Sequence, residues 1–339
     1  MRLLLLSIVI LLRFSSAGCM AQTRCPAPPP PAPPPPPLLV SALPVPNAAH
    51  QALVPFTVVR RKNYRIEYGE YGLEVDPTEG GRIVEFSLAG QSIIVPVTES
   101  PEAFGSSLWT SPQSDWNWPP PPELDRLPWR VIDEPLALVL QSETSEKLGL
   151  SVRQRLTAEP SKGSLLLEYE FTNRSAVPRR MAPWQNTRVR PKGLTFYPAS
   201  RASYAIKNNT LVLAPEDNIA WFKHEPDKIK GNLKSLADGE EGWMAQLDDR
   251  LLFIKIFDDV PVAVQAPGEG ELVIYVAGNG QFVEMENQGA YQELLPGAEF
   301  IWKLRWVLRR LPDNIASTKG NRALVDFARK TVREVRDQK

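Results

Sequence analysis

The chain has 339 residues, with 39 Lys plus Arg against 39 Asp plus Glu, so its formal net charge is zero. Without a basic excess or a long run of one sign, nucleic acid is not an expected partner. The only cysteines, Cys19 and Cys25, precede the part expected to fold, so no disulfide framework or thiolate metal site can hold the domain.

A charged start at Arg2 leads into a short apolar run ending at Leu12. A spanning helix needs roughly 20 apolar residues, so this run reads as a secretory signal over residues 1–21. Ala17, Gly18 and Cys19 look like the end of a bacterial lipoprotein signal, with Cys19 lipidated as the first mature residue. Ordinary cleavage after Ala21 is the alternative. Either way the chain is expected to be exported, to the periplasm or to an outer membrane reached through the lipid. Residues 26–37 are proline apart from Ala27 and Ala32, a stiff polyproline II spacer within a tether over residues 22–51. A ligand for a proline-binding module is the rival reading.

From Ala52 onward about 290 residues remain, enough for one large core. Residues 64–68, 73–75, 83–86, 136–140, 150–156 and 165–171 alternate or run β-branched and aromatic, as strands do. Residues 211–213, 251–257, 272–276 and 300–308 continue the series. Turn signals such as Gly80-Gly81 and Ala89-Gly90 separate them. No helical stretch of 10–15 residues intervenes, so the expected fold class is all-β and antiparallel over residues 52–312. Residues 313–339 close with an amphipathic helix, capped by Ser317 and marked by Leu324, Phe327, Ala328 and Val332.

The stretch from Gly105 to Asp125 fits neither pattern. It places Trp109, Trp116 and Trp118 beside Gln113, Asp115 and Asn117, ahead of four consecutive prolines, and is expected to be a long loop. Indole faces beside short polar groups suit a sugar ring, whose C–H face packs on the indole while side chains take the hydroxyls. The alternative is that these tryptophans plug one end of the fold.

Several pieces together resemble the galactose-mutarotase-like superfamily, and most of all its DUF4380 branch. They are Gly80-Gly81-Arg82-Ile83 before a strand, the Trp109 to Pro121 loop, Pro183-Trp184-Gln185-Asn186, Gly242-Trp243, and Leu295-Pro296-Gly297 before the last strand. The resemblance spans residues 60–312 and implies a β-supersandwich of antiparallel strands with a C-terminal helix. In mutarotases a Glu on a late strand takes the proton of the anomeric hydroxyl and a His protonates the ring oxygen. Glu284 and Glu286 stand where that Glu belongs and share a strand face, Glu286 being the inward candidate. Two solvated glutamates on an edge strand are the other possibility. No histidine lies where the acid is expected; Trp184 and Gln185 stand there, and His224 is the substitute to consider. Arg188 and Arg190 either bind an acidic sugar or pair with nearby Glu.

The expectation is therefore an exported carbohydrate-binding protein of the cell envelope with an incomplete acid–base pair. Its binding residues would be Arg82, Trp109, Gln113, Trp116, Trp118, Trp184 and Glu284, with Glu286 and His224 as catalytic candidates. The partner would be a saccharide or sugar-containing polymer. Neither a metal nor another cofactor is expected, because P-loop, dinucleotide and metal-ligand spacings are missing. An aldose 1-epimerase using Glu286 as base is one alternative, and a structural envelope module is another.

Overall fold

Side-chain alternation, with both faces of the inner strands covered, is what builds the architecture. The structure, a computed structural model, describes residues 57–60, 63–204 and 209–337. The signal, Cys19 and the proline tether lie outside the described residues. Within Ala52–Lys339 the strands form two antiparallel sheets, as expected for a galactose-mutarotase-like β-supersandwich.

The first sheet runs Thr57–Arg60, Tyr64–Tyr68, Tyr71–Asp76, Arg82–Leu88, Ser106–Ser111, Arg179–Val189, Val283–Gln288, Leu272–Val276 and Leu233–Ala237. Two short strands, Gln91–Ser92 and Gln292–Leu294, attach to it. The second runs Ile219–Lys223, Leu194–Pro198, Trp243–Asp248, Leu251–Phe257, Glu299–Arg310, Ser164–Asn173, Leu150–Glu159, Ala137–Gln141 and Arg130–Glu134.

Leu251–Phe257 shows how one strand serves two cores. Leu251, Phe253 and Phe257 point between the sheets, while Leu252, Ile254 and Ile256 point outward beneath the C-terminal helix. Phe86 of the first sheet meets Phe253 and Trp306 of the second, at ring separations of 5.8 and 5.5 Å. Lys255 is the polar exception on the inward face. It is fully buried and donates to Thr187 Oγ1 and the Met285 carbonyl of the facing sheet, both at 3.1 Å. Burial holds its amine well below the ordinary lysine range.

The helix spans Arg322–Asp337 and buries Leu324, Val325, Ala328, Val332 and Val335 on the second sheet. Its cap is not Ser317. Asn321 Oδ1 accepts the Ala323 N–H at 2.9 Å, whereas Ser317 Oγ donates to the Asp249 carbonyl. No helix among the described residues is long and apolar enough to cross a membrane.

Two sequence expectations change. Residues 211–213 form no strand. The edge of Leu233–Ala237 is met instead by side chains: Asn209 Oδ1 accepts the Leu236 N–H at 2.6 Å and Thr210 Oγ1 accepts that of Lys234 at 2.8 Å. Conversely, the Trp-rich stretch begins as a strand, Ser106–Ser111, paired with Arg179–Val189 so that Trp109 faces Trp184.

Candidate functional site

Register sets the site. Across Arg179–Val189 and Val283–Gln288, Asn186 is opposite Glu286 and Arg188 opposite Glu284. Tyr275 is opposite Glu284 on the next strand, and Lys234 opposite Tyr275 on the one after. Alternation then turns Trp109, Trp184, Arg188, Glu284, Glu286, Tyr275 and Lys234 to the face away from the inter-sheet core. Gln185, Thr187 and Met285 turn inward, and Gln185 there donates to the Tyr169 hydroxyl at 2.7 Å. Val283–Gln288 is an inner strand, so Glu284 and Glu286 are not the solvated glutamates of a sheet edge.

Above this face the segment after Ser111 folds back. A 3₁₀ turn, Gln113–Asp115, leads to a short helix, Pro122–Asp125. It packs onto the Gly80-Gly81 turn, where both glycines have positive φ. A Cβ on Gly81 would stand 2.6 Å from the Trp129 ring, and one on Gly80 2.5 Å from the Asp125 carbonyl. Only glycine permits both the turn and this approach. The packing delivers Asp125 to Arg82 and Trp109: Asp125 Oδ1 accepts Arg82 Nη2 at 3.1 Å and Trp109 Nε1 at 2.9 Å.

Between loop and sheet lies an open cavity of about 630 Å³. Trp109, Trp184 and Trp118 line it, with Arg82, Arg126, Arg188, Lys234, Tyr275 and the Glu284/Glu286 pair. The Trp109 ring stands edge-on to Trp184 at 5.2 Å and to Trp118 at 6.1 Å. Trp118 is 69 % exposed, so it presents most of its surface to solvent. Arg188 Nε lies 3.0 Å from Glu284 Oε1, and its Nη1 donates to Ser107 Oγ at 2.8 Å. Trp184 Nε1 donates to Glu286 Oε2 at 2.7 Å. Burial and the neighbouring Glu284 push the Glu286 carboxyl up to about 8, against the opposing pull of Lys234 and the Trp184 N–H. Burial, with the Arg188 charge second, lowers the Arg82 guanidinium to about 10.

The cavity thus gathers Arg82, Trp109, Gln113, Trp118, Trp184, Glu284 and Glu286. It does not gather Trp116 or His224. Trp116 is 1 % exposed, donates to the Thr110 carbonyl at 2.8 Å and backs Trp109 and Trp184 from behind. As a ligand-stacking residue it is corrected to a wall support. His224 follows the edge strand Ile219–Lys223 of the other sheet, edge-on to Phe222. Burial lowers its pKa, and its ring is not part of this cavity, so it cannot act on the same ligand as Glu286. Arg190 pairs with Glu99 at 2.8 Å. Residues missed from sequence are Lys234, Tyr275, Asp125 and Arg126. For Tyr275 the signal was available, since it occupies a position of the β-branched run 272–276 set by the strand period. Among the described residues no group of three or more His, Cys, Asp or Glu is placed to hold a metal.

Comparison with known proteins agrees with this architecture. The family model "Domain of unknown function (DUF4380)" matches residues 62–309. No curated protein matches the chain. Among solved structures, a galactose mutarotase related enzyme from Lactobacillus acidophilus is 12 % identical, with TM-score 0.53, covering 74 % of this chain and 98 % of its own. A protein from Synechocystis sp. PCC 6803 is 14 % identical with TM-score 0.52, covering 76 % of this chain and 99 % of its own. A putative aldose 1-epimerase from Escherichia coli K12 is 14 % identical with TM-score 0.50, covering 76 % and 100 %. At these identities the likeness is one of fold.

Proposed function

The chain belongs to the DUF4380 family, and on that fold we propose that the cavity under Trp118 binds a saccharide, in an exported protein of the cell envelope. The observation that carries the reading is the convergence of three indoles with charged hydrogen-bonding groups on one open cavity of about 630 Å³. Trp118 offers a solvent-facing ring for stacking, Trp109 and Trp184 close the wall, and Arg82, Gln113 and Glu286 take hydroxyls. Export and the lipid anchor rest on the signal at residues 1–21 and on Cys19.

Trp118→Ala is expected to weaken saccharide binding about tenfold or more, the loss of one stacking face and its buried area. Because Trp118 is 69 % exposed, the variant should melt within a few degrees of the wild type. A glycan array probed with the full-length chain beside this variant checks both. Normal melting with undiminished binding would overturn the assignment of the site.

A second reading, aldose 1-epimerase, is favoured by one observation, the Glu286 carboxyl held near neutrality in the cavity. A group of that pKa can take and return a proton at physiological pH. The reading requires that the wild type speed mutarotation of α-glucose or α-galactose in a polarimeter. Glu286→Gln is then expected to abolish that acceleration, a fall of at least a hundredfold. An equal rate in the two proteins would remove Glu286 from the chemistry.

A further inference from the structure

The charges around the cavity do not pair off evenly. Arg82 is held by Asp125 at 3.1 Å and Arg188 by Glu284 at 3.0 Å. Arg126 approaches the other Asp125 oxygen at 3.7 Å. Lys234 has no carboxylate within ion-pairing distance and no side-chain hydrogen bond among the described residues, yet it borders the cavity. Its Nζ lies 5.8 Å from the centre of the Trp184 ring, which orders the ammonium without neutralising it.

Through Tyr275 the acid in register with Lys234 is Glu284, which Arg188 already holds. Glu286 lies one strand-face position on, and one of its oxygens already accepts the Trp184 N–H. It shares its strand face with Glu284, and two like charges so placed in a buried site do not ionise together. Asn186, directly between Ser107 and Glu286 in register, is fully buried, and neither of its amide atoms has a hydrogen-bond partner among the described residues. A buried amide without partners, on the same sheet face as the cavity-lining Trp184 and Arg188, calls for a polar partner such as a water.

On the saccharide reading above, we propose that the ligand carries an anionic group, a carboxylate or a phosphate, and that Lys234 beside Trp184 is the residue that receives it. A neutral sugar would leave the ammonium facing only hydroxyls. An acidic one supplies the missing counter-charge, and Glu286, carrying its proton, donates a hydrogen bond to the same group. Specificity then comes from the penalty of leaving a partly buried ammonium unpaired.

The test titrates the full-length chain, by tryptophan fluorescence, with uronic-acid oligosaccharides, a hexose phosphate and the neutral counterparts of each. Wild type is expected to bind at least one acidic class tenfold or more tighter than its neutral analogue, and which class it is separates carboxylate from phosphate. Lys234→Met, which keeps the aliphatic stem, is expected to lose that preference, its acidic and neutral affinities coming within about twofold of each other. Lys234→Arg should restore it. Equal affinities for acidic and neutral ligands, or a preference that survives in Lys234→Met, overturn the inference and leave the saccharide site standing. If none of the sugars binds, the saccharide reading falls and the inference falls with it.

Discussion

Replacing Arg82 with Met is expected to lower unfolding free energy by about 3–5 kcal/mol, the cost of stripping a buried charge of its partner. Arg82 is 6 % exposed and ties three segments together. Its Nη1 donates to the Phe104 carbonyl at 3.1 Å and its Nη2 to the Asp125 carbonyl at 2.9 Å, besides the Asp125 carboxylate. In the variant, Asp125 would keep only the Trp109 N–H and the distant Arg126. The short helix that carries Asp125 would lose its anchor on the sheet, and Trp109 would lose the acceptor that fixes its ring. Denaturant unfolding measures the first effect. The double variant Arg82→Met/Asp125→Leu is expected to recover much of the loss, because it removes the stranded carboxylate as well. A single-variant loss below about 1 kcal/mol, or strictly additive losses in the double variant, would mean that the pair does not hold the loop.

The same arrangement explains which parts of the site were legible in the sequence. Leu251–Phe257 announces itself because both of its faces are buried, so nearly every position is apolar, and Ser164–Asn173 because buried residues alternate with the half-buried Leu166, Glu168 and Glu170. Glu286 was found through its place before Leu295-Pro296-Gly297, and Trp184 through the Pro183-Trp184-Gln185-Asn186 motif. Ser106–Ser111 was not found. Its sequence offers small polar residues and a following proline, and its partner strand begins about 70 residues later, so no local signal marks the pairing.

Lys234 escaped for a related reason. Leu233–Ala237 is short, and its outer edge is satisfied by Asn209 and Thr210 side chains, contacts that strand propensity cannot register. Residues 211–213 drew the opposite error. They have strand composition, but Val212 is 75 % exposed and only Leu213 is buried, so they lack a sheet face to cover. Histidine chemistry misled as well. His224 has the right pKa class, but the topology sends it to the other sheet.

Glu286→Gln is expected to leave stability unchanged near pH 4 and to raise it progressively up to pH 9, where the gain reaches a few kcal/mol. In the unfolded chain this carboxyl ionises at the ordinary glutamate value of about 4.5, and in the fold at about 8. Between those values the folded chain holds a proton that the unfolded chain has released. The stability this group contributes is therefore fully present below pH 4.5 and is lost as pH rises through 8. A shift of that size corresponds to at most about 5 kcal/mol. The groups that face Glu286 set the direction. Burial, Glu284 and Glu269 favour the protonated form, while Lys234 and the Trp184 N–H favour the ionised one. Lys255, behind the sheet, has its pKa lowered, so its own contribution rises with pH. Both proteins contain it, and it drops out of their difference to first order. Glutamine keeps an oxygen to accept the Trp184 N–H and cannot ionise, so its unfolding curve lacks the Glu286 step. Urea unfolding of the two proteins at pH 4, 7 and 9 measures this. A difference that stays flat across that range would mean Glu286 is already ionised at neutral pH. The carboxyl could then not donate to an anionic ligand, and the Lys234 ammonium would already have its counter-charge in the protein.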